Sequence, residues 1–160
     1  MVKLFSETNL SPRLETLRSV SLFADLKAKE LRIVDGLLHE RSYVADEVVF
    51  DEGEDGQALY VVFSGEVLIV HPTDGGDGLV ATVKSGEFFG DMALIDKWPR
   101  AAQARAAAPT VVGVLFRSDF QTLMETHARI ASRIALQLAR EMGQRLRQRV
   151  DAAAHGRGKL

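Results

Sequence analysis

Cysteine is absent from this 160-residue sequence. The absence excludes disulfide bonds, cysteine nucleophiles, iron–sulfur clusters and thiolate zinc sites. Long apolar stretches are missing as well: no run approaches the roughly 18 residues that a membrane-spanning helix needs, and the first residues do not resemble a signal peptide. We therefore expect a single cytoplasmic domain, residues 1–160, that has no membrane partner.

Histidine is scarce, and its positions argue against an enzyme. The four histidines are His39, His71, His127 and His155. They are isolated and form no His-x-His pair, whereas metal-dependent enzymes on jelly rolls need clustered histidine and carboxylate ligands. A serine hydrolase is equally disfavoured, because the sequence lacks a nucleophile elbow. The sequence predicts a protein that is not an enzyme and holds no metal or cofactor.

Acidic and basic residues nearly balance, but they are unevenly distributed. The formal net charge of −2 gives no general reason to expect binding to nucleic acid or acidic lipid. The segment from Arg140 to the end nevertheless carries six basic and two acidic residues. Such a segment is either the solvated end of a terminal helix or a docking surface for an acidic partner.

The spacing of apolar residues changes twice along the chain. Residues 10–40 and 118–152 show helical spacing, and residues 41–117 contain short runs of valine, isoleucine and phenylalanine separated by glycine turns. Short strands at this spacing are typical of an antiparallel sandwich, jelly roll or barrel. We expect residues 153–160 to be a frayed tail.

The last predicted helix has an apolar stripe that does not stay on one face. Apolar residues from Ile130 to Val150 fall four apart, and four residues advance 400° around a helix. The stripe therefore turns by about 40° per step. This drift predicts that the first half of the helix packs on the β domain and that the second half contacts something else.

Residues 88–103 combine a glycine, a carboxylate and an arginine. Gly90 permits close backbone approach, and the residues that follow it are sufficient for one helical turn with free N–H groups. Pro99 stiffens the approach to Arg100, whose planar donor group can close on an anion. Asp91 can accept a hydrogen bond from a hydroxyl beside that anion. An anion next to a hydroxyl describes a nucleotide with a ribose.

The segment also closely resembles the phosphate-binding cassette of cyclic nucleotide-binding domains. The matching residues are Phe89-Gly90-Asp91-Met92-Ala93-Leu94 and, after a short loop, Pro99-Arg100-Ala101-Ala102. The resemblance covers about residues 20–150. It implies a mainly β fold: an eight-stranded antiparallel β-roll (jelly roll) with N-terminal helices and a long C-terminal helix.

The resemblance also implies a ligand site. Arg100 would pair with the cyclic phosphate, and Asp91 would hold the ribose 2′-hydroxyl. Arg145 falls near the expected position of a base-binding residue in the last helix. The full implied set of ligand-binding residues is Phe89, Gly90, Asp91, Met92, Ala93, Arg100, Ala101, Ala102 and Arg145.

Two cassette positions depart from the family pattern. Asp91 replaces the usual glutamate and is one methylene, about 1.5 Å, shorter. Ala101 lacks the hydroxyl that some members place after the arginine, which favours cyclic AMP (cAMP) over cyclic GMP (cGMP). A third position is ambiguous: Trp98, the only tryptophan, is either a loop anchor packed on the sheet or a residue flanking the ligand pocket.

The resemblance implies a small regulatory receptor for a 3′,5′-cyclic mononucleotide. It would signal to a downstream protein partner by movement of its C-terminal helix, and that helix would also form a homodimer. We expect no direct DNA binding, because only about ten residues follow the predicted helix and a helix-turn-helix does not fit there. Two alternatives remain open: a ligand-independent dimerisation or adaptor module, and a receptor for another nucleotide such as a cyclic dinucleotide.

Overall fold

A computed structural model of the protein describes residues 10–73 and 76–157. Helices flank a β region at both ends. They are α1 (Pro12–Ser19), α2 (Ala28–Asp35), α3 (Arg117–Thr126) and α4 (Ala128–Arg157), with short 3₁₀ turns at Ser21–Phe23 and Asp91–Leu94. The strands are β1 (His39–Tyr43), β2 (Val48–Phe50), β3 (Ala58–Ser64), β4 (Glu66–Thr73), β5 (Gly76–Lys84), β6 (Phe88–Phe89), β7 (Gln103–Ala106) and β8 (Thr110–Phe116).

The strands form two antiparallel sheets of four, with orders β1-β8-β3-β6 and β2-β7-β4-β5. Between them lies one apolar cluster, which includes Phe50, Tyr60, Val62 and Val112. The predicted fold class, a mainly β roll with flanking helices, is confirmed. The β region begins at His39, slightly before the predicted boundary at residue 41.

A second core joins the helices to the outer face of the first sheet. It includes Leu17, Phe23, Phe120 and Ile134. The first half of α4 contributes to this core, whereas residues 144–156 are exposed to solvent. This division agrees with the drift of the apolar stripe around the helix.

The end of the chain differs from the expectation. We predicted a frayed tail over 153–160, but α4 continues through Arg157, and residues 158–160 lie outside the described part of the chain. Three consecutive alanines, Ala152–Ala154, explain the extension, because alanine has the highest intrinsic helix propensity. None of the helices described is long and apolar enough to cross a membrane.

Candidate functional site

The cassette turn (Asp91–Leu94) follows β6 through a left-handed glycine. Gly90 has φ of +73°, a conformation that side chains rarely adopt. A Cβ atom at this position would lie 2.8 Å from Nη1 of Arg100 and 3.2 Å from the carbonyl oxygen of Ala58. Glycine is therefore required both by the backbone angle and by the close approach of the arginine.

Arg100 is buried at the base of this turn. Its side chain donates from Nη2 to the Ala58 carbonyl at 2.7 Å and from Nη1 to the Gly90 carbonyl at 3.0 Å. The guanidinium carbon lies 4.1 Å from the ring centre of Phe50. Two neutral carbonyl acceptors and one aromatic face therefore orient the guanidinium.

No carboxylate lies within ion-pair distance of Arg100 among the residues that the structure describes. Only 9% of the residue is exposed. Burial lowers the pKa of the Arg100 guanidinium from its ordinary value, because desolvation disfavours the charged form. The arginine stays protonated at physiological pH, so it is a buried cation that no carboxylate pairs at ion-pair distance in the described part of the chain.

The turn between β2 and β3 holds the backbone of Arg100. The Arg100 amide donates to the Glu54 carbonyl at 2.7 Å, and the Gly53 amide donates to the Arg100 carbonyl at 2.8 Å. Asp55 forms an isolated antiparallel bridge with Pro99. Two loops separated in sequence therefore fix the position of the arginine.

Asp91 is paired with a residue of the last helix. Nη1 of Arg145 donates to both carboxylate oxygens of Asp91, at 3.0 and 3.2 Å. Asp91 is 6% exposed, whereas about half of the Arg145 side chain is accessible. Arg145 also lies 5.8 Å from the ring centre of Phe88. The carboxylate beside the cassette is thus directly connected to α4.

These groups line one cleft with a volume of about 490 Å³. The cleft brings together all nine site residues that the sequence analysis named: Phe89, Gly90, Asp91, Met92, Ala93, Arg100, Ala101, Ala102 and Arg145. The structure therefore shows that they are neighbours, while their roles in binding remain predictions.

The cleft is also lined by residues that the sequence did not identify as site residues, and it decides between the two interpretations of Trp98. Phe50 and Arg149 line the cleft, and no local signal marked either one. Trp98 also lines it and is 68% exposed, so the interpretation of Trp98 as an anchor packed on the sheet is wrong. Its position two residues before Arg100 was the sequence feature that could have indicated its place beside the cleft.

Comparison with known proteins places this arrangement in a family. The profile of the cyclic nucleotide-binding domain matches residues 40–127. The chain therefore belongs to the cyclic nucleotide-binding domain family, which confirms the resemblance carried by the cassette.

Three relatives illustrate the similarity. The Cyclic AMP receptor protein of Thermus thermophilus is 36% identical over 104 residues, which cover 64% of this chain and 48% of the relative. The cAMP-dependent protein kinase regulatory subunit of Yarrowia lipolytica is 34% identical over 108 residues, 68% of this chain and 28% of the relative. The crystal structure of the Thermus thermophilus Catabolite Activator Protein superposes with a TM-score of 0.74 at 33% identity, covering 84% of this chain and 63% of that one. This chain matches less than half the length of both curated relatives.

Proposed function

We propose that this chain is a regulatory receptor for a 3′,5′-cyclic mononucleotide and that it prefers cAMP to cGMP. The observation that carries the proposal is the buried guanidinium of Arg100, which faces the cleft without a carboxylate partner among the described residues. A buried charge is expensive unless an opposite charge pairs with it. The singly charged phosphate of a cyclic nucleotide supplies such a partner.

The remaining cassette residues fit the other parts of a nucleotide. Asp91 lies in the same cleft and its carboxylate can accept a hydrogen bond from the ribose 2′-hydroxyl. Ala101 offers no hydroxyl toward the base, which favours cAMP. The names of the two curated relatives, a cyclic AMP receptor and a cAMP-dependent kinase regulatory subunit, support the same choice of ligand.

The output of the receptor is a change in the position of α4. Asp91 is the proposed ribose ligand and also the partner of Arg145 on that helix. A nucleotide that engages Asp91 must share the carboxylate with Arg145 or displace it. Binding in the cleft therefore changes a contact that holds α4, and the signal is conformational rather than catalytic.

The distal half of α4 supplies a surface for a second copy of the chain. From Leu136 to the end of the helix, small and apolar residues recur at alternating intervals of three and four, a heptad pattern typical of paired helices: Leu136, Ala139, Gly143, Leu146, Val150 and Ala153. Leu146 is 64% exposed and Val150 is 59% exposed. We propose that this stripe forms a homodimer and that the dimer transmits the signal to a downstream protein.

Charge at the edges of the stripe is compatible with a parallel pair. In parallel register, Arg147 of one copy would lie beside Met142 of the other, and Arg149 beside Ala154. No like charges would face each other across these positions. A cytoplasmic location and the lack of direct DNA binding remain predictions.

Calorimetric titration of nucleotide-free protein with cAMP and then with cGMP tests the proposal. We expect saturable binding of one nucleotide per chain, with the higher affinity for cAMP. Higher affinity for cGMP would contradict the proposed preference. The absence of heat with both, together with an unchanged melting temperature, would contradict the receptor function and favour the adaptor or a cyclic dinucleotide receptor.

A further inference from the structure

The buried guanidinium of Arg100 needs electrostatic compensation in the nucleotide-free protein as well as in a complex. Its two hydrogen-bond acceptors, the carbonyls of Ala58 and Gly90, are neutral. Carbonyl oxygens satisfy its N–H groups but carry no net charge to offset that of the cation. A further source of negative potential is therefore needed beside Arg100 before an anion binds.

Phe50, at the end of β2, supplies that potential. The guanidinium carbon of Arg100 lies over the Phe50 ring, 4.1 Å from its centre, well inside the distance of about 6 Å over which a ring face attracts a cation. The face of an aromatic ring is negative although the ring has no net charge. Phe50 is buried, so little water screens the two groups from each other. Such a desolvated contact lies at the strong end of the range for cation–π pairs.

Two further rings hold Phe50 against the cation. The rings of Tyr60 and Phe89, on the paired strands β3 and β6, stack with their centres 5.0 Å apart. Phe50 comes from the opposite sheet and contacts both of them, at 5.7 and 5.9 Å between ring centres. Because all three rings are buried in one apolar cluster, Phe50 cannot turn away from Arg100 without opening a void between the sheets. The ring face is thus a fixed part of the site.

We propose that Phe50 is a positioning residue whose ring takes the place of the ligand's phosphate: it holds the Arg100 cation in the nucleotide-free protein, and the phosphate takes the cation over on binding. The inference rests on the proposed function, which supplies the phosphate. Once paired, cation and phosphate together carry no net charge, so the ring attracts them less than it attracts the cation alone. An interaction that is stronger before binding opposes binding. Phe50 therefore stabilises the nucleotide-free receptor and limits its affinity for cAMP.

Fluorinated phenylalanine at position 50 tests this exchange of partners, because fluorine withdraws negative potential from the ring face while changing the size of the ring little. The parent is compared with chains that carry mono-, di- and trifluorophenylalanine at this position. We expect the unfolding equilibrium constant of the nucleotide-free protein to rise stepwise, by about threefold to tenfold for the trifluoro ring. The calorimetric affinity for cAMP should rise by the same factor. The stability of the cAMP-saturated protein should consequently stay constant.

Two controls separate the contact with the cation from packing. Phe120 is also buried, but its ring has no cationic partner among the described residues, so trifluorophenylalanine at position 120 should leave cAMP affinity unchanged. In Arg100→Met the cation is removed, so fluorination of Phe50 should leave the unfolding equilibrium constant of that variant unchanged.

The outcomes distinguish the role of Phe50 from the receptor function. Unfolding constants that stay equal across the series, in a parent that binds cAMP, would overturn the role of Phe50 and leave the receptor function intact. An affinity that falls with fluorination would do the same, because the ring would then stabilise the complex. An equal effect of fluorination with and without the cation would show that Phe50 acts by packing alone. Failure of the parent to bind any cyclic nucleotide would overturn both proposals.

Discussion

Arg145 on α4 and Asp91 in the cassette turn form an ion pair across 54 positions of sequence, with N–O distances of 3.0 and 3.2 Å. The side-chain hydrogen bonds of Arg100 stay within the β region, but this ion pair joins the cleft to α4, whose last residues are exposed to solvent. The Asp91 carboxylate is buried, whereas about half of the Arg145 side chain is exposed, so solvent screens the pair. This pair is the structural basis of the coupling that we propose.

Replacing Arg145 should therefore separate binding from signalling. In Arg145→Gln we expect cAMP affinity to stay within about tenfold of the parent, since Arg100 and Asp91 remain in place. The ligand-dependent change in amide hydrogen exchange over residues 143–157 should disappear, because the charged link is lost. The free energy of unfolding should fall by no more than about 1 kcal/mol, since Arg145 is half exposed. An unchanged exchange response in the variant would refute the coupling.

Removing the buried cation should abolish most binding. We expect Arg100→Ala to weaken cAMP binding by more than a hundredfold, because breaking a buried charge pair typically costs about 3–5 kcal/mol. Arg100→Lys should recover only part of the loss, since lysine cannot reproduce the planar donor group. The matched control is Arg129→Ala at the exposed start of α4, which should bind as the parent does. Calorimetry gives all three affinities, and parent-like binding by Arg100→Ala would exclude the assigned phosphate site.

The proposed contact between the Asp91 carboxylate and the ribose can be tested with a ligand that lacks the 2′-hydroxyl. We expect Asp91→Asn to weaken cAMP binding more than 2′-deoxy-cAMP binding, because only the former offers the hydroxyl to the carboxylate. Asp91→Glu should bind cAMP equally well or more tightly, as it restores the usual side-chain length. A strong loss in Asp91→Glu would show that the cleft is built around aspartate. Equal losses of affinity for both ligands in Asp91→Asn would contradict the proposed hydrogen bond between the ribose 2′-hydroxyl and Asp91.

Two glycines with similar backbone angles differ in their surroundings. Gly53 has φ of +85° and nothing within 4 Å of a Cβ atom, whereas Gly90, at +73°, would place that atom 2.8 Å from Nη1 of Arg100. We expect Gly53→Ala to lower the free energy of unfolding by about 1–2 kcal/mol from the backbone angle alone. Gly90→Ala should lower the free energy of unfolding by a larger amount, and it should also weaken cAMP binding. Denaturant unfolding and calorimetry check both effects, and equal behaviour of the two variants would contradict the close packing of Arg100 on Gly90.

The proposed dimer depends on the exposed stripe of α4. We expect Leu146→Glu to convert a dimer into a monomer in sedimentation equilibrium, because it places a charge at the centre of an apolar seam. Leu79→Glu is the control, since Leu79 is similarly exposed, at 60%, but lies on β5. A parent protein that is monomeric at all concentrations would rule out the dimer. A Leu146→Glu variant that remains dimeric would place the interface elsewhere.

Local patterns were sufficient for the fold class and for the position of the cassette. Strand-rich runs, glycine turns and helical spacing each depend on residues close together in the chain, and the cassette from Phe89 to Ala102 is nearly continuous in sequence. Its residues therefore came together in the cleft as expected. The profile match over residues 40–127 confirms the family that this segment indicated.

Long-range packing determined the contacts of the site that local sequence patterns did not predict. The pairing of Arg145 with Asp91, the carbonyl of Ala58 on Arg100 and the contribution of Phe50 all depend on how the sheets and α4 pack together. Such contacts join positions 40 or more residues apart, and no local spacing rule specifies them. Trp98 illustrates the same limit: its residue type was visible in the sequence, but its exposure at the wall of the cleft depends on the loop position that the tertiary structure sets.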